Sequence, residues 1–233
     1  VTGPDILFFW VARMLAVGEY LTEQLPFPDI FLHGLIYGKS YWRNGDQGAI
    51  DYVSDKERLA FDMGEPTPSD VEHKWEKMSK SKGNTVNPWD AVGDHGADAV
   101  RWYFITSSNP WLPKRYDPES VREAARKFFD TLFNTYRFFS LYASVESWVP
   151  SDNDPTPEDR PLLDRWLLAK MDSVIGEVSD ELNSYQLTKA YRILGDFVVE
   201  DLSNWYVRRS RSRFWNSDDA EDQRAAFRTL YDA

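Results

Sequence analysis

The sequence contains no cysteine and only three histidines among its 233 residues. Without cysteine there is no disulfide framework and no thiolate metal site, which fits the cytoplasm, where we expect the protein to act. No apolar run is long enough to cross a bilayer, since the richest, Ile6 to Val17, is interrupted by Arg13. The first residues, Val1-Thr2-Gly3-Pro4, lack the basic segment of a signal peptide. We therefore expect no membrane partner, and the sequence predicts no metal site.

Positive charge is also scarce. The chain carries 27 Lys and Arg against 38 Asp and Glu, for a formal net charge of -11. This balance is unusual for a nucleic-acid binder, because phosphate contacts require Lys and Arg. The positive charge is nevertheless concentrated locally, in Arg208, Arg209, Arg211 and Arg213. An acidic surface with a local basic patch is the simplest description.

The first half of the chain alternates helical and strand patterns. Ile6 to Leu21 has helical spacing, and Ile30 to Tyr37 is typical of a short buried strand that ends near Gly38. Asn44-Gly45 predicts a hairpin turn, followed by a polar, loop-rich stretch. Asn87 is placed to cap a helix that begins at Pro88. Such alternation favours an α/β fold.

After Pro118 the hydrophobic period is helical almost throughout. An apolar stripe from Val121 to Phe139 predicts a helix whose bulky residues belong to the core. The Pro- and Asp-rich stretch from Pro150 to Pro161 is predicted to be a linker. Three helices should follow it: Leu162 to Leu182, Leu187 to Trp215, and one that begins near Asp219. The predicted fold class is therefore α/β followed by an all-α antiparallel bundle.

The strongest local signal is Lys77-Met78-Ser79-Lys80-Ser81, followed by Lys82-Gly83-Asn84. Ammonium groups on a short loop with hydroxyls and glycine suit a triphosphate, where lysines act as mobile point charges. They would stabilise charge that develops on a leaving pyrophosphate, and this lowers the barrier. The alternative is a flexible basic surface loop without a ligand. No Walker-type phosphate loop occurs in the sequence.

Residues 77–81 match the KMSKS signature of the class I aminoacyl-tRNA synthetases, and Gly83-Asn84 extends the match. The segment around Asp5 resembles the part of that family whose acidic residue binds the ATP ribose, and His33-Gly34 resembles its adenine-pocket dipeptide. The resemblance implies ATP and Mg²⁺ as cofactors, with Lys77 and Lys80 as catalytic residues on the phosphates. The implied ATP-binding residues are Gly3, Asp5, His33, Gly34, Lys77, Met78, Ser79, Lys80 and Ser81. Taken alone, an aspartate before a helix is more often a helix cap and a His-Gly pair more often a strand end, and only their order before the loop favours the functional interpretation.

The helical half is most similar to the isoleucyl enzymes of the isoleucyl/valyl/leucyl group, above all across Asp201 to Trp215. A helix rich in arginine and flanked by aromatic residues fits contact with an RNA backbone. The resemblance thus implies that tRNA is bound by Arg208, Arg209, Arg211 and Arg213. The alternative is that each of these arginines pairs with a carboxylate of this acidic protein. Upstream, Asp98 and Arg101 lie at i, i+3 and could pair on one helical face.

The resemblance implies a domain order. Residues 1–110 would be the C-terminal part of a Rossmann-like catalytic domain with an insertion at about 38–73, residues 111–150 a connecting segment, and residues 151–233 a truncated helical anticodon-binding domain. The implied reaction activates isoleucine with ATP through an aminoacyl-adenylate and transfers it to tRNA. The alternatives are the valyl enzyme, which Ile6 to Met14 resembles, the leucyl enzyme, and a non-catalytic tRNA-binding relative.

The HIGH-type signature of the family does not occur in the sequence. We expect the chain to begin midway through a catalytic domain and to be inactive alone, although the parent would be an enzyme. We also expect a monomer.

Overall fold

The computed structural model describes residues 1–45, 49–215 and 217–233. Two compact units divide the chain, Val1–Val121 and Arg122–Ala233. In the described residues, the first unit mixes helices with strands and the second contains helices only. The predicted order of α/β followed by all-α is therefore confirmed. No helix in the described part of the chain is both long and apolar enough to cross a membrane.

The first unit begins with a π-helical segment, Leu7–Val11, that continues into helix α1, Ala12–Thr22. This confirms the first predicted helix. Asn87 caps helix α3 as predicted, since its Oδ1 accepts a hydrogen bond from Trp89 N at 3.1 Å. The remaining elements are β1 (Ile36–Asn44), β2 (Ile50–Tyr52), α2 (Asp55–Asp62), β3 (Val71–Lys77), a 3₁₀ turn (Lys80–Lys82), α3 (Pro88–His95), α4 (Ala97–Thr106), β4 (Lys114–Arg115) and α5 (Pro118–Ala125).

Strand β1 is the centre of the sheet. It pairs antiparallel with β2 and β3 and parallel with β4. The predicted strand at Ile30 to Tyr37 is wrong in position, because β1 begins only at Ile36. Before it, the chain makes an isolated parallel bridge from Leu32 to Thr2, and Gly34 N donates to Pro110 O at 2.7 Å. The apolar run that suggested a strand is thus held by single backbone contacts rather than by a ladder.

The stretch predicted to be loop-rich is a folded hairpin and helix. Tyr41 of β1 packs with Val53, Val71 and Phe61 in a small core of its own. The predicted turn at Asn44-Gly45 lies in the β1–β2 connection, where Gly45 N donates to Ala49 O at 2.7 Å. The remaining turn residues, 46–48, lie outside the described residues. The core residues are too far apart in sequence to produce a visible period, which explains the incorrect prediction.

The second unit contains the helices predicted from Leu162 onward. The predicted linker lies between the helix that ends at Val145 and the helix that begins at Leu162, and Asp219 caps the last helix by accepting from Glu221 N at 2.9 Å. The elements are a π-helical segment (Arg126–Asp130), α6 (Thr131–Val145), α7 (Leu162–Asn183), α8 (Leu187–Asp196), a second π-helical segment (Phe197–Val207), α9 (Arg208–Trp215) and α10 (Ala220–Asp232).

Aromatic rings fill the core of this unit. Phe214 and Phe227 are almost completely buried and meet edge to face with ring centres 4.9 Å apart. The stripe predicted to be core is buried only in part: Phe128 is 7% exposed, whereas Phe133 is 54% and Tyr136 63% exposed. Only part of the apolar stripe is therefore buried, and its remaining bulky side chains are exposed.

Candidate functional site

The lysine-rich loop is a direct continuation of strand β3, which ends at Lys77. A single 3₁₀ turn, Lys80–Lys82, follows, and Gly83 closes it with φ of 61°. Only glycine adopts this left-handed conformation without strain, so Gly83 lets the chain reverse immediately after the turn. The Oγ atoms of Ser79 and Ser81 lie 2.9 Å apart inside the loop.

The three lysines of the loop have different surroundings. Lys77 Nζ donates to Asp5 Oδ2 at 2.9 Å, and Lys82 Nζ is paired with Glu76. The hydrogen bond from Lys77 lowers the pKa of the Asp5 carboxyl, and the hydrogen bond to Glu76 raises the pKa of Lys82. Lys80 is exposed and has no ion pair among the described residues. Lys80 is therefore the ammonium group of the loop that can receive an anion without first losing a carboxylate.

Two separate segments bring Gly3, Asp5 and His33 together. Thr2 N donates to Phe31 O at 2.9 Å and His33 N donates to Thr2 O at 3.0 Å, so these two segments of the chain run side by side. A Cβ atom added to Gly3 would lie 2.8 Å from Asp5 Oδ1 and 3.6 Å from His33 Cε1. A side chain at position 3 would therefore displace the Asp5 carboxylate.

Gly34 is required by a different neighbour. A Cβ atom at Gly34 would lie only 1.9 Å from Leu112 O, closer than any real contact. His33 stays exposed, and its Nδ1 lies 2.9 Å from Gly34 O. The structure thus places five predicted residues around one point, namely Gly3, Asp5, His33, Gly34 and Lys77. It gives no direct contact from Met78, Ser79, Lys80 or Ser81 to that group.

A small pocket that sequence reasoning did not assign lies beside this cluster. It is lined by Val1, Thr2, Trp10, Val11, Met14, Phe27, Asp29 and Ile30. Trp10 Nε1 donates to Thr2 Oγ1 at 2.9 Å, which fixes the indole against the residue that precedes Gly3. The lining combines apolar side chains with polar groups, among them Thr2 and Asp29. The run of aromatic residues at the start of the first helix, which includes Trp10, is the sequence feature from which this pocket could have been predicted.

The arginines of the second unit separate into two groups. Arg208, Arg209 and Arg211 are exposed, and the Arg209 guanidinium lies 3.8 Å from the ring centre of Trp205. Trp205 is 45% exposed, whereas its neighbours on the inner side of the helix are buried: Leu202, Tyr206 and Phe214. The exposed face therefore combines cations with an aromatic ring.

Arg213 points into the unit. Its Nη1 and Nη2 donate to the two carboxylate oxygens of Asp164 at 2.6 and 2.8 Å, and its Nε donates to Asp222 at 3.0 Å. Asp164 has no exposed surface and also accepts from Tyr206 Oη at 2.8 Å. The predicted RNA contact of Arg213 is corrected here, because the alternative of pairing with carboxylates applies to this residue. Arg101 donates a single hydrogen bond to Asp98 at 3.2 Å on an exposed face of α4, as expected from their spacing.

Two family models match the chain. The model of the tRNA synthetases class I (I, L, M and V) matches residues 1–40 and 71–111, and leaves out most of the folded hairpin and helix. The model of the anticodon-binding domain of tRNA ligase matches residues 164–233.

Curated relatives share high identity with the chain. The isoleucine–tRNA ligase of Thermus thermophilus is 51% identical over 163 residues, which cover 70% of this chain and 16% of that protein. The isoleucine–tRNA ligase of Cytophaga hutchinsonii is 44% identical over 229 residues, 98% of this chain and 18% of that protein. The chain therefore spans less than a fifth of the length of these relatives.

Two solved structures share the fold. The LeuRS–tRNA–LeuAMS complex of Agrobacterium radiobacter aligns with a TM-score of 0.60 at 16% identity, over 98% of this chain and 24% of that one. Methionyl-tRNA synthetase of Mycobacterium tuberculosis with methionyl-adenylate aligns with a TM-score of 0.62 at 21% identity, over 98% and 37%. At these identities the likeness concerns the fold alone.

Proposed function

The chain belongs to the class I tRNA synthetases, and on this basis we propose that the full-length protein is an isoleucine–tRNA ligase of the cytoplasm. The observation that carries the proposal is the Asp5–Lys77 ion pair of 2.9 Å. It joins the segment proposed for the ATP ribose to the loop proposed for the phosphates. A nucleotide held between them would contact both ends of one continuous site.

In this proposal the chain acts by positioning and electrostatics. Lys80, without a carboxylate partner among the described residues, would contact the phosphates of ATP, and Lys77 would join it once Asp5 turns to the ribose. Their positive charge stabilises the negative charge that develops on pyrophosphate as the amino-acid carboxylate displaces it. Gly3, His33 and Gly34 would form the wall for adenine. Met78, Ser79 and Ser81 would shape the loop around the phosphates.

Mg²⁺ is the second cofactor implied by the family. No group of three or more His, Asp or Glu side chains in the described ranges could hold a metal ion. We therefore propose that Mg²⁺ would be bound mainly by oxygens of the triphosphate, because this ion commonly binds through substrate phosphates and retained water. When bound, it would neutralise part of the phosphate charge. The lysines would then act on the remaining charge.

Isoleucine is proposed as the amino acid because the relatives named above are isoleucine–tRNA ligases. The pocket around Trp10 would take the amino-acid side chain, because Val11, Met14 and Phe27 offer apolar surface there. Valine is the competing substrate, since a hydrophobic pocket separates side chains that differ by one methylene only modestly.

We propose that tRNA is contacted by the exposed arginines Arg208, Arg209 and Arg211, without Arg213. The match to an anticodon-binding domain at residues 164–233 supports this assignment. The proposed domain division remains residues 1–110 for the catalytic part, 111–150 for the connection and 151–233 for the anticodon-binding part. The hairpin and helix at about 38–73 would be an insertion in the catalytic part.

The test is ATP–pyrophosphate exchange by the full-length protein with isoleucine, valine and leucine compared. We expect exchange to be strongest with isoleucine and to be lost in Lys80→Ala. Lys56→Ala, which removes an exposed lysine of α2, is the matched control and should retain exchange. Strongest exchange with valine would reassign the substrate. Absence of exchange with all three would favour a non-catalytic tRNA-binding protein.

A further inference from the structure

Asn84 follows the loop and is buried, with only 1% of its surface exposed. Its Oδ1 accepts a hydrogen bond from Ser79 N at 2.7 Å, and its Nδ2 donates to Lys77 O at 3.3 Å. The two bonds hold the backbone at Lys77 and at Ser79, the residues on either side of Met78. A buried side chain that satisfies two backbone groups of another segment fixes the path of that segment.

The backbone of Asn84 is in close contact with strand β1. A Cβ atom at Gly38 would lie 2.1 Å from Asn84 O, so strand β1 touches the Asn84 backbone directly. On the other side, Lys82 is tied to Glu76 of β3. Lys80 is thus held between two anchored points while its own ammonium group stays exposed.

We propose that Asn84 is a positioning residue that sets the path of loop 77–82 and so places Lys80 for ATP activation. This inference rests on the proposed function of that loop. Asn84 acts through the loop backbone and does not itself touch the nucleotide. The carboxamide suits the task because it can donate and accept at the same time.

Two substitutions of Asn84, to leucine and to aspartate, should therefore have different effects on the loop. Asn84→Leu keeps the four side-chain heavy atoms and the branch at Cγ but removes both hydrogen bonds. An ionised carboxylate in Asn84→Asp accepts from Ser79 N but cannot donate to Lys77 O, whereas a protonated carboxyl can do both. Burial raises the pKa of a carboxyl, which moves its protonation toward neutral pH. Asn84→Asp should therefore recover as the pH falls, a behaviour that a purely space-filling role would not produce.

The test uses the full-length protein, with exchange rates corrected for active-site concentration. Asn84→Leu should lower kcat on the order of a hundredfold, while KM for the amino acid stays unchanged. For Asn84→Asp, the ratio of its kcat to that of the wild type should rise as the pH is lowered from about 8 to about 6. Asn183→Leu and Asn183→Asp, at an exposed asparagine that ends α7, are the controls and should show neither effect.

A second readout does not depend on activity. Lys77, Lys80 and Lys82 are trypsin sites, so a released loop should be cleaved faster in both Asn84 variants than in the controls. Unchanged cleavage with kcat within about twofold of the wild type would overturn the proposal, and so would a flat pH ratio for Asn84→Asp. If the wild type shows no exchange, the proposed function fails while faster cleavage still supports the positioning role.

Discussion

Lys77 Nζ lies 2.9 Å from Asp5 Oδ2, although the two residues are 72 positions apart in the sequence. Both side chains are substantially exposed, so the pair adds little stability. Its significance lies in the proposed site, where Asp5 and Lys77 neutralise each other's charge in the absence of a nucleotide. In that proposal, binding of ATP would exchange this contact for contacts with ribose and phosphate. Both groups are thereby kept close to the place where the proposal requires them.

The first prediction concerns the titration of Asp5. Because Lys77 donates a hydrogen bond to it, the Asp5 carboxyl should have a pKa below its ordinary value of 3.8. A lowered carboxyl pKa stabilises the folded state above the ordinary pKa, and this contribution is lost as the pH falls through the folded pKa. The contact should therefore be complete at neutral pH and disappear only in acid. A carboxyl carbon-13 NMR titration measures this pKa directly.

Lys77→Ala should raise the pKa of Asp5 toward the ordinary value, whereas Lys56→Ala should leave it unchanged. An Asp5 pKa that is the same in Lys77→Ala and in the wild type would show that the ion pair does not form in solution.

The second prediction concerns the buried Asp164–Arg213 pair. Asp164→Ala leaves the guanidinium of Arg213 with only Asp222 as a carboxylate partner and leaves the hydroxyl of Tyr206 without its acceptor. Removing one partner of a buried pair is strongly destabilising, so we expect a loss of about 3 kcal/mol in the free energy of unfolding. Urea denaturation monitored by circular dichroism measures it. Asp172→Ala, at an exposed position of the same helix, should change it little.

Much of the helical unit could be predicted from sequence, because each of its helices is long enough to show a complete period. Asp219 and the linker before Leu162 marked two helix starts within a residue or two. The role of Arg213 could not be predicted in the same way. It depends on Asp164, a residue of another helix 49 positions away, and no local pattern encodes that contact.

In the first unit, the motif residues were found by resemblance, and their mutual contacts came only from the fold. An insertion at about 38–73 was predicted, but its secondary structure was not, because its core uses single residues of separate short elements, Tyr41, Val53 and Val71. One local signal was available: Ser54 and Glu57 form a capping box, a pattern of serine and glutamate three residues apart that marks a helix start. That pattern would have placed helix α2.

The third prediction tests this capping box. Ser54 Oγ accepts from Glu57 N at 3.3 Å, and Glu57 Oε2 accepts from Ser54 N at 3.1 Å. Ser54→Ala removes the first of these bonds and should destabilise α2 by about 1 kcal/mol. Hydrogen exchange followed by mass spectrometry should show faster exchange for residues 55–62. Exchange in α10, which Asp219 caps separately, should be unaffected. Equal exchange of 55–62 in both proteins would mean that packing of Phe61 on Tyr41 alone sets the stability of α2.

The last prediction concerns the exposed arginines. If Arg208 and Arg211 neutralise RNA phosphates, binding releases counterions, and tRNA affinity should fall as salt rises. Each substitution, Arg208→Gln or Arg211→Gln, should weaken binding and reduce the slope of log affinity against log salt by about 0.7 to 0.9. Arg209 differs because its guanidinium stacks on Trp205, so Arg209→Gln also changes an aromatic surface.

The measurement is filter binding of tRNA to the full-length protein over a series of salt concentrations. Arg224→Gln removes an exposed arginine of α10 and serves as the control for net charge. An equal slope change in Arg224→Gln would mean that the field of the whole surface, rather than the face of α9, governs binding. Unchanged slopes in the Arg208 and Arg211 variants would place the RNA elsewhere on the protein.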